Sequence, residues 1–398
     1  MNVLDIVRVI GGLVLLVGGG EALVRGASAL ATRLGLSPLV VGLTVVSVAT
    51  SAPELAVTLG AVLRGEPEIA VGNVVGSNIA NVLLVLGITA AVGSVLVKRD
   101  MLRFDLPFLA GLSILVLVFS VDGRVGPVEG TLLLVLFVGH MAWSVWRGRR
   151  AGHDGADLNG AAQDGAAQDG AAQDGAAQDA PDPDTSGPRP SALVAALLVA
   201  AGVGLLVLGA NFLVDGATAI ATAFGVSQLV IGLTVVAVGT SLPELAASVI
   251  AVRRGERDIA FGNVVGSNIA NIGLVLGLPS LLSGGIGVPE SAVAFDIPVM
   301  VAVALLLLPV AFTGSLIHRS EGFLFAGFYV AYTVYVLLLA TDHDALRGFT
   351  ITMVAYVLPM FGILLAGHVL LDLWDRRHPA PSPPEAHHDR SRPGAPPG

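Results

Sequence analysis

Two short runs concentrate the oxygen donors of this chain. Thr50-Ser51-Ala52-Pro53-Glu54 recurs as Thr240-Ser241-Leu242-Pro243-Glu244, and Gly72-Asn73-Val74-Val75-Gly76-Ser77-Asn78-Ile79-Ala80-Asn81 recurs unchanged from Gly262 to Asn271. A proline inside a helix lacks an N–H and clashes with the carbonyl four residues back. Pro53 is therefore expected to free the carbonyl of Ala49, and Pro243 that of Gly239. Freed carbonyls, hydroxyls and a carboxylate are hard ligands, and a set without Cys or His favours hard cations over zinc or copper. Thr50 and Glu54 lie at i and i+4, on one helix face. Asn73, Ser77 and Asn81 form an i, i+4, i+8 stripe, repeated by Asn263, Ser267 and Asn271. Gly72, Gly76 and Ala80 make a neighbouring stripe of small residues, of the kind that lets membrane helices approach closely.

The elements that carry these runs must be membrane helices. Of 398 residues, 54% are hydrophobic and 13% charged, with mean hydropathy +0.81; a soluble domain carries about 25% charged residues. Setting aside the Ala/Gln/Asp/Gly segment 148–190 and the Pro-rich tail 372–398 leaves length for about eleven spans, at roughly 30 residues per helix and turn. Residues 42–87 realign on 232–277 at a constant offset of 190, with 33 of 46 positions identical. Weaker similarity extends on both sides, so each half reads as one five-helix unit. The expected organisation is a first repeat 1–147, a disordered acidic cytoplasmic linker 148–190, a second repeat 191–341, an extra span within 342–371 and a disordered cytoplasmic tail. The spans are expected near 6–31, 38–63, 70–95, 104–121 and 127–147, then 191–223, 228–252, 259–283, 293–313, 321–341 and 348–371. The apolar N-terminal stretch is too long for a removable signal peptide and reads as the first span.

Five helices per copy put consecutive copies into the membrane with opposite orientation. The charges agree. Loop 64–68 (RGEPE) carries one positive and two negative residues, whereas its copy 253–258 (RRGERD) carries three positive and two negative. Because cytoplasmic loops collect Lys and Arg, the second loop is expected inside and the first outside. This sets the N-terminus outside and the linker and C-terminus in the cytoplasm, in a multi-pass cell-membrane protein. Inverted repeats of this sort build many secondary transporters, with the substrate site near the midplane where the halves meet. About such an axis Glu54 and Glu244 would face each other, flanked by Asn81 and Asn271. No Lys or Arg occurs in either motif, and an unpaired carboxylate at a helix centre costs roughly 2.5–3.5 kcal/mol. A bound cation, or a proton when no cation is present, is the expected partner. Two carboxylates neutralise one Ca2+ or two Na+.

The duplicated motifs resemble the alpha repeats of the cation/Ca2+ exchanger superfamily, in particular prokaryotic sodium/calcium exchangers, over both five-helix halves. The resemblance implies a Na+/Ca2+ antiporter in which Glu54 and Glu244 ligate Ca2+ and Na+. Thr50, Ser51, Ser77, Thr240, Ser241 and Ser267 would complete the sites, with backbone carbonyls near Ser47 and Ala237. The first and sixth helices would be the sliding gate. Asn271 stands where some relatives have Asp, which argues against K+ cotransport and leaves H+/Ca2+ exchange as the alternative coupling. The linker is too short for the Ca2+-sensing domains of animal exchangers, and the eleventh helix is extra to a ten-helix core.

Other polar residues read as structural. Asn73, Asn78, Asn263 and Asn268 are expected to tie helices together, while Asn81 and Asn271 read as ligands. Glu21 and Arg25, spaced to pair at i,i+4, and their counterparts Asn211 and Asp215 read as structural or peripheral gate residues. Asp105 and Asp296 are expected to complement helix dipoles. The linker repeats Gly-Ala-Ala-Gln-Asp four times, without the spacing of an EF-hand and without residues that could bury a core. No cysteine, no HExxH and no histidine in either motif speak against an intramembrane enzyme. No Walker motif speaks for an ATP-driven pump. No cofactor, nucleic acid or obligate protein partner is expected beyond the ions and the bilayer, and a passive channel is a poorer match to a duplicated, inverted site.

Overall fold

A computed structural model describes residues 3–166, 191–225, 237–312, 316–360 and 362–363. The chain is built from helices α1 (Val3–Leu34), α2 (Pro38–Leu63), α3 (Pro67–Val92), α4 (Met101–Phe119), α5 (Pro127–Ala166) and α6 (Ala192–Ala223). There follow α7 (Leu242–Arg253), α8 (Arg257–Leu282), α9 (Ala292–Ala311), α10 (Arg319–Ala340) and α11 (Ala345–Met360). Nine of these, all but α7 and α11, are long and apolar enough to cross a membrane among the described residues. The two remaining expected spans, 228–252 and 348–371, lie partly outside those residues.

The two halves meet along α1 and α6, each 32 residues and so about 48 Å long at 1.5 Å per residue. A Cβ on Gly12 would meet the backbone of Gly209, one on Gly19 that of Gly202, one on Gly26 that of Ala195, and one on Gly216 that of Asp5. Numbers rise on one helix as they fall on the other, so the pair is antiparallel. Shifting by the 190-residue offset exchanges the Gly12–Gly209 contact with Gly19–Gly202, and Gly26–Ala195 with Gly216–Asp5. A contact set that maps onto itself when antiparallel copies are swapped describes a pseudo-twofold axis across the helices, and hence an inverted repeat.

The same symmetry recurs elsewhere. Strand β1 (Val95–Leu96) pairs antiparallel with β4 (Leu316–Ile317), and β2 (Arg124–Val125) with β3 (Ile286–Gly287), each ladder crossing between the halves. Gly87 of α3 abuts Gly322 of α10, while Gly277 of α8 abuts Gly130 of α5. Each half thus clasps the other, and α8, the most enclosed of the membrane-length helices, lies at the centre.

Three expectations change. Helix α5 runs on to Ala166, so the first part of the segment expected as a disordered linker is helical. Alanine and glutamine are good helix formers, and an apolar helix already nucleated in the membrane extends into them. Residues 167–190 and the tail from 364 lie outside the described residues. Asp105 does not act as a dipole complement at a helix start. Its buried carboxylate meets Arg147 and His140 of α5, each at 3.1 Å, because an unpaired charge at that depth is costlier than an ion pair. Asp296 instead accepts a hydrogen bond from Tyr332 at 2.9 Å.

The glycine contacts make a test. Gly202→Val should overpack the α1–α6 seam and destabilise by at least about 1–3 kcal/mol, read as a lower melting temperature in detergent. Gly204→Val, where a Cβ meets nothing within 4 Å, should leave it unchanged.

Candidate cation site

The first motif breaks its helix two residues ahead of the proline. Residues 38–50 are helical, Ser51 departs at φ −80° and ψ 2°, and a new helix runs Ala52–Leu63 with Pro53 in its first turn. Proline at that position gives up an N–H that would be orphaned anyway, and its fixed φ suits a helix start. Ser241 departs in the same way at φ −90° and ψ 4°, immediately ahead of α7. Both motif carboxylates therefore stand in the first turn of a half-helix, where the backbone dipole favours negative charge.

Glu54 and Glu244 are both 0% exposed. Neither carboxylate oxygen of either residue has a hydrogen-bond partner among the described residues. The same holds for Ser51 Oγ, Ser77 Oγ, Ser241 Oγ and both side-chain polar atoms of Asn81 and Asn271. Buried polar atoms are normally paired. So many unpaired oxygens on the motif residues of both halves fit a hard cation as ligand partner. Among the described residues no group of three or more His, Cys, Asp or Glu side chains gathers, so the donors are two carboxylates supplemented by amides and hydroxyls.

Asn81 and Asn271 each open a π-helical segment, Asn81–Leu86 and Asn271–Leu276. Wide turns of this kind are frequent at functional sites. Behind the carboxylates, Asn73 Nδ2 donates to the Glu54 carbonyl at 3.1 Å and to Thr58 Oγ1 at 2.9 Å. Asn263 Nδ2 repeats this on the Glu244 carbonyl at 3.4 Å and Ser248 Oγ at 3.0 Å. These asparagines tie helices as expected. Asn268 Nδ2 donates to the Asn78 carbonyl at 3.4 Å, which joins α3 and α8 near the axis. Thr58 and Ser248, which anchor the ties, went unnoticed in the sequence; their i+4 spacing from Glu54 and Glu244 was the available signal.

The remaining predicted residues divide unequally. Thr50 Oγ1 donates to Asn263 Oδ1 at 3.2 Å and lies 3.3 Å from Ser267 Oγ, so Thr50 and Ser267 are joined across the halves. Thr240, their counterpart of Thr50, instead lines a cavity of about 200 Å³ that reaches Pro53, Pro243 and the α6 residues Val207, Ala210, Asn211, Val214 and Asp215. Its α2 lining residues, Pro53 and Val57, lie on the second arm of α2, the one that ends beside Arg64. By contrast, α1 packs directly on α7, and a Cβ on Gly20 would touch Ile250 and Ala246.

A family model described as "Sodium/calcium exchanger protein" matches residues 4–146 and 194–338. CaxA from Alkalimonas amylolytica is 38% identical over 327 residues, covering 81% of this chain and 96% of that protein. The sodium/calcium exchanger MaX1 of Methanosarcina acetivorans is 37% identical over 346 residues, covering 81% of this chain and 95% of its own length. A solved structure of the sodium-calcium exchanger NCX_Mj superimposes with a TM-score of 0.66 at 31% identity, over 83% of this chain and 98% of that one.

Thr50→Val should cost about 1–3 kcal/mol of stability, since Asn263 Oδ1 loses its donor in a buried setting. Thr58→Val should cost less than this, because the Asn73 amide it would leave keeps the Glu54 carbonyl. Thermal unfolding of the two variants in detergent checks the order.

Proposed function

Because the chain belongs to the sodium/calcium exchanger protein family, whose members are transporters, we propose that it is a secondary antiporter that moves Ca2+ against Na+ by alternating access. The observation that carries this reading is the pair of buried carboxylates, Glu54 and Glu244, with no hydrogen-bond partner among the described residues. Together they carry the charge needed to balance one Ca2+ or two Na+, so either load neutralises the site and neither fits beside the other. Competition for one charge-balanced site is the physical basis of exchange: a carrier that crosses only when neutral couples one ion's gradient to the other's movement.

Each ligand has a role in this reading. Glu54 and Glu244 supply the charge. Ser51, Ser77, Asn81, Ser241 and Asn271 supply neutral oxygens that are otherwise unpaired. Thr50 and Ser267 close one side of the site, and Thr240 stands at the other, where the cavity admits ions. Ca2+ takes six to eight oxygens at roughly 2.3–2.6 Å in a flexible cage, which two carboxylates, amides and hydroxyls from two broken helices provide. Following the loop charges, the Arg64 face is extracellular and the Arg254 face cytoplasmic, so the inward Na+ gradient would extrude Ca2+ across the cell membrane. H+ is the second coupling ion to consider, since the same two carboxylates accept protons and Asn occupies both position 81 and position 271.

Ca2+ uptake into proteoliposomes loaded with Na+, set against a H+ gradient alone, separates the two couplings. Uptake is expected with internal Na+ and not with the H+ gradient; flux that persists with neither would mean a channel. Glu54→Gln and Glu244→Gln should each lower Ca2+ flux by at least about 100-fold, corresponding to about 2.8 kcal/mol, while the protein stays folded. Normal flux in either variant defeats the assignment. Ca2+ at 100 times its dissociation constant should raise the stability of the unmutated protein by about 2.7 kcal/mol, and Glu54→Gln should abolish that gain.

A further inference from the structure

The two halves are nearly identical around the site yet unequal at its two exits. On the Arg254 face, Glu21 of α1 pairs with Arg25 at 2.9 Å and reaches Arg254 beyond α7, whose Nε donates at 2.7 Å. Two turns further along α1, Ser28 Oγ donates to Glu256 Oε1 at 3.0 Å. Helix α1 is thus fastened to the α7–α8 loop by charge and by a hydrogen bond, beside the close contact of Gly20 with α7.

The 190-residue offset carries these residues to Asn211, Asp215, Arg64, Thr218 and Glu66. None of the equivalent contacts is made among the described residues. Arg64 pairs with Glu66 of its own loop at 2.9 Å. Thr218 Oγ1 is buried with no hydrogen-bond partner among the described residues. Between α6 and the second arm of α2, where α1 and α7 touch in the other half, lies the cavity that holds Asn211 and Asp215 at its wall.

The glycine seam makes these facts mechanical. With backbone against backbone at Gly12–Gly209 and Gly19–Gly202, and the side chains of Leu15, Leu205 and Val199 packed beside these contacts, α1 and α6 interlock too closely to slide on one another, so they shift as a pair. A shift that draws α1 off α7 brings α6 onto α2. We propose that Glu21, Ser28, Arg254 and Glu256 form a latch that holds the Arg254 face shut in this state, and that Asp215, Thr218, Arg64 and Glu66 form its counterpart when the Arg64 face shuts. The proposal rests on the alternating-access reading above.

The latches differ in strength. Asn211 replaces Glu21, so the acid available to Arg64 is Asp215, one helical turn nearer the surface, at the position of Arg25. Each latch so named joins one ion pair and one hydrogen bond, but in the first Arg25 also pairs with Glu21 at 2.9 Å and holds it in place, whereas in the second Asp215 itself occupies the position equivalent to Arg25. The sequence difference therefore biases the carrier toward the state with the cavity open to the Arg64 face.

The absence of native cysteine makes the test direct. In reconstituted full-length protein with a protease site inserted within 167–190, S28C/E256C and T218C/E66C are oxidised, cleaved and run without reductant. The first pair is expected to join the two fragments without ions. The second should join them at least about threefold more under opposed Na+ and Ca2+ gradients, with transport stopped by either bond and restored by reductant. A separate variant, Ala210→Cys, reports the cavity by its labelling with a membrane-impermeant maleimide. Arg254→Gln on that background should slow labelling by about two- to fivefold, the range of a partly exposed ion pair, and restoring the pair as E21R/R254E should reverse the change. The proposal is overturned if T218C/E66C never joins while S28C/E256C does, if either bond leaves transport intact, or if Arg254→Gln leaves labelling unaltered. Labelling requires no flux, so a protein that fails to exchange Na+ for Ca2+ would defeat the functional reading while leaving the latch decided by this readout.

Discussion

Two carboxylates enclosed in a membrane protein, with no cationic side chain to pair with them, constrain everything around them. Glu54 and Glu244 have zero exposure and unpaired oxygens, and a charge so placed costs several kcal/mol unless something neutralises it. The fold answers with partial compensation from the backbone. Each acid stands in the first turn of a half-helix created by the break at Ser51 or Ser241, where the dipole favours an anion. The rest of the compensation has to come from whatever occupies the site, which makes occupancy and conformation two sides of one equilibrium.

Holding two helix breaks at membrane depth requires a rigid surround. Irregular backbone survives there only when buried in protein or facing a wet cavity, and the first condition is met. Asn73 and Asn263 hold the carbonyls of the two acids from the neighbouring helices, and α8 packs closely on the first arm of α2, where a Cβ on Gly262 would meet the carbonyl of Leu39. The other side faces the cavity at Thr240. Tight packing around α2, α3, α7 and α8, set against the glycine seam between α1 and α6, puts the motif oxygen donors and the helix pair that joins the halves in different parts of the fold.

Much of this was legible in the sequence. The Thr-Ser-x-Pro-Glu and Gly-Asn-Ser runs announce themselves because polar residues are scarce in an apolar chain and because they occur twice. The five-helix period and the inverted orientation followed from an odd number of spans and from loop charges. Other features were written there but lacked a partner to give them meaning. Glycines at 12, 19 and 26 and at 202, 209 and 216 recur every seven residues, yet a seam exists only once α1 and α6 are known to lie side by side. Asp105 read as a dipole complement because its own helix was the only visible context; Arg147 and His140 lie on the next helix. The helical continuation of α5 to Ala166 was obscured by a repeat whose composition resembles a linker.

By itself, then, the sequence determined a membrane protein of two inverted copies and where its scarce oxygen donors fall, because burial cost and duplication act on residue types and spacing. Only the tertiary structure decided which exit is closed. The motifs are almost the same in both copies, so nothing local distinguishes Thr50, bonded to Ser267, from Thr240, facing the cavity. That difference arises from how one pair of helices rests on the others, and a symmetric sequence can rest in either of two ways.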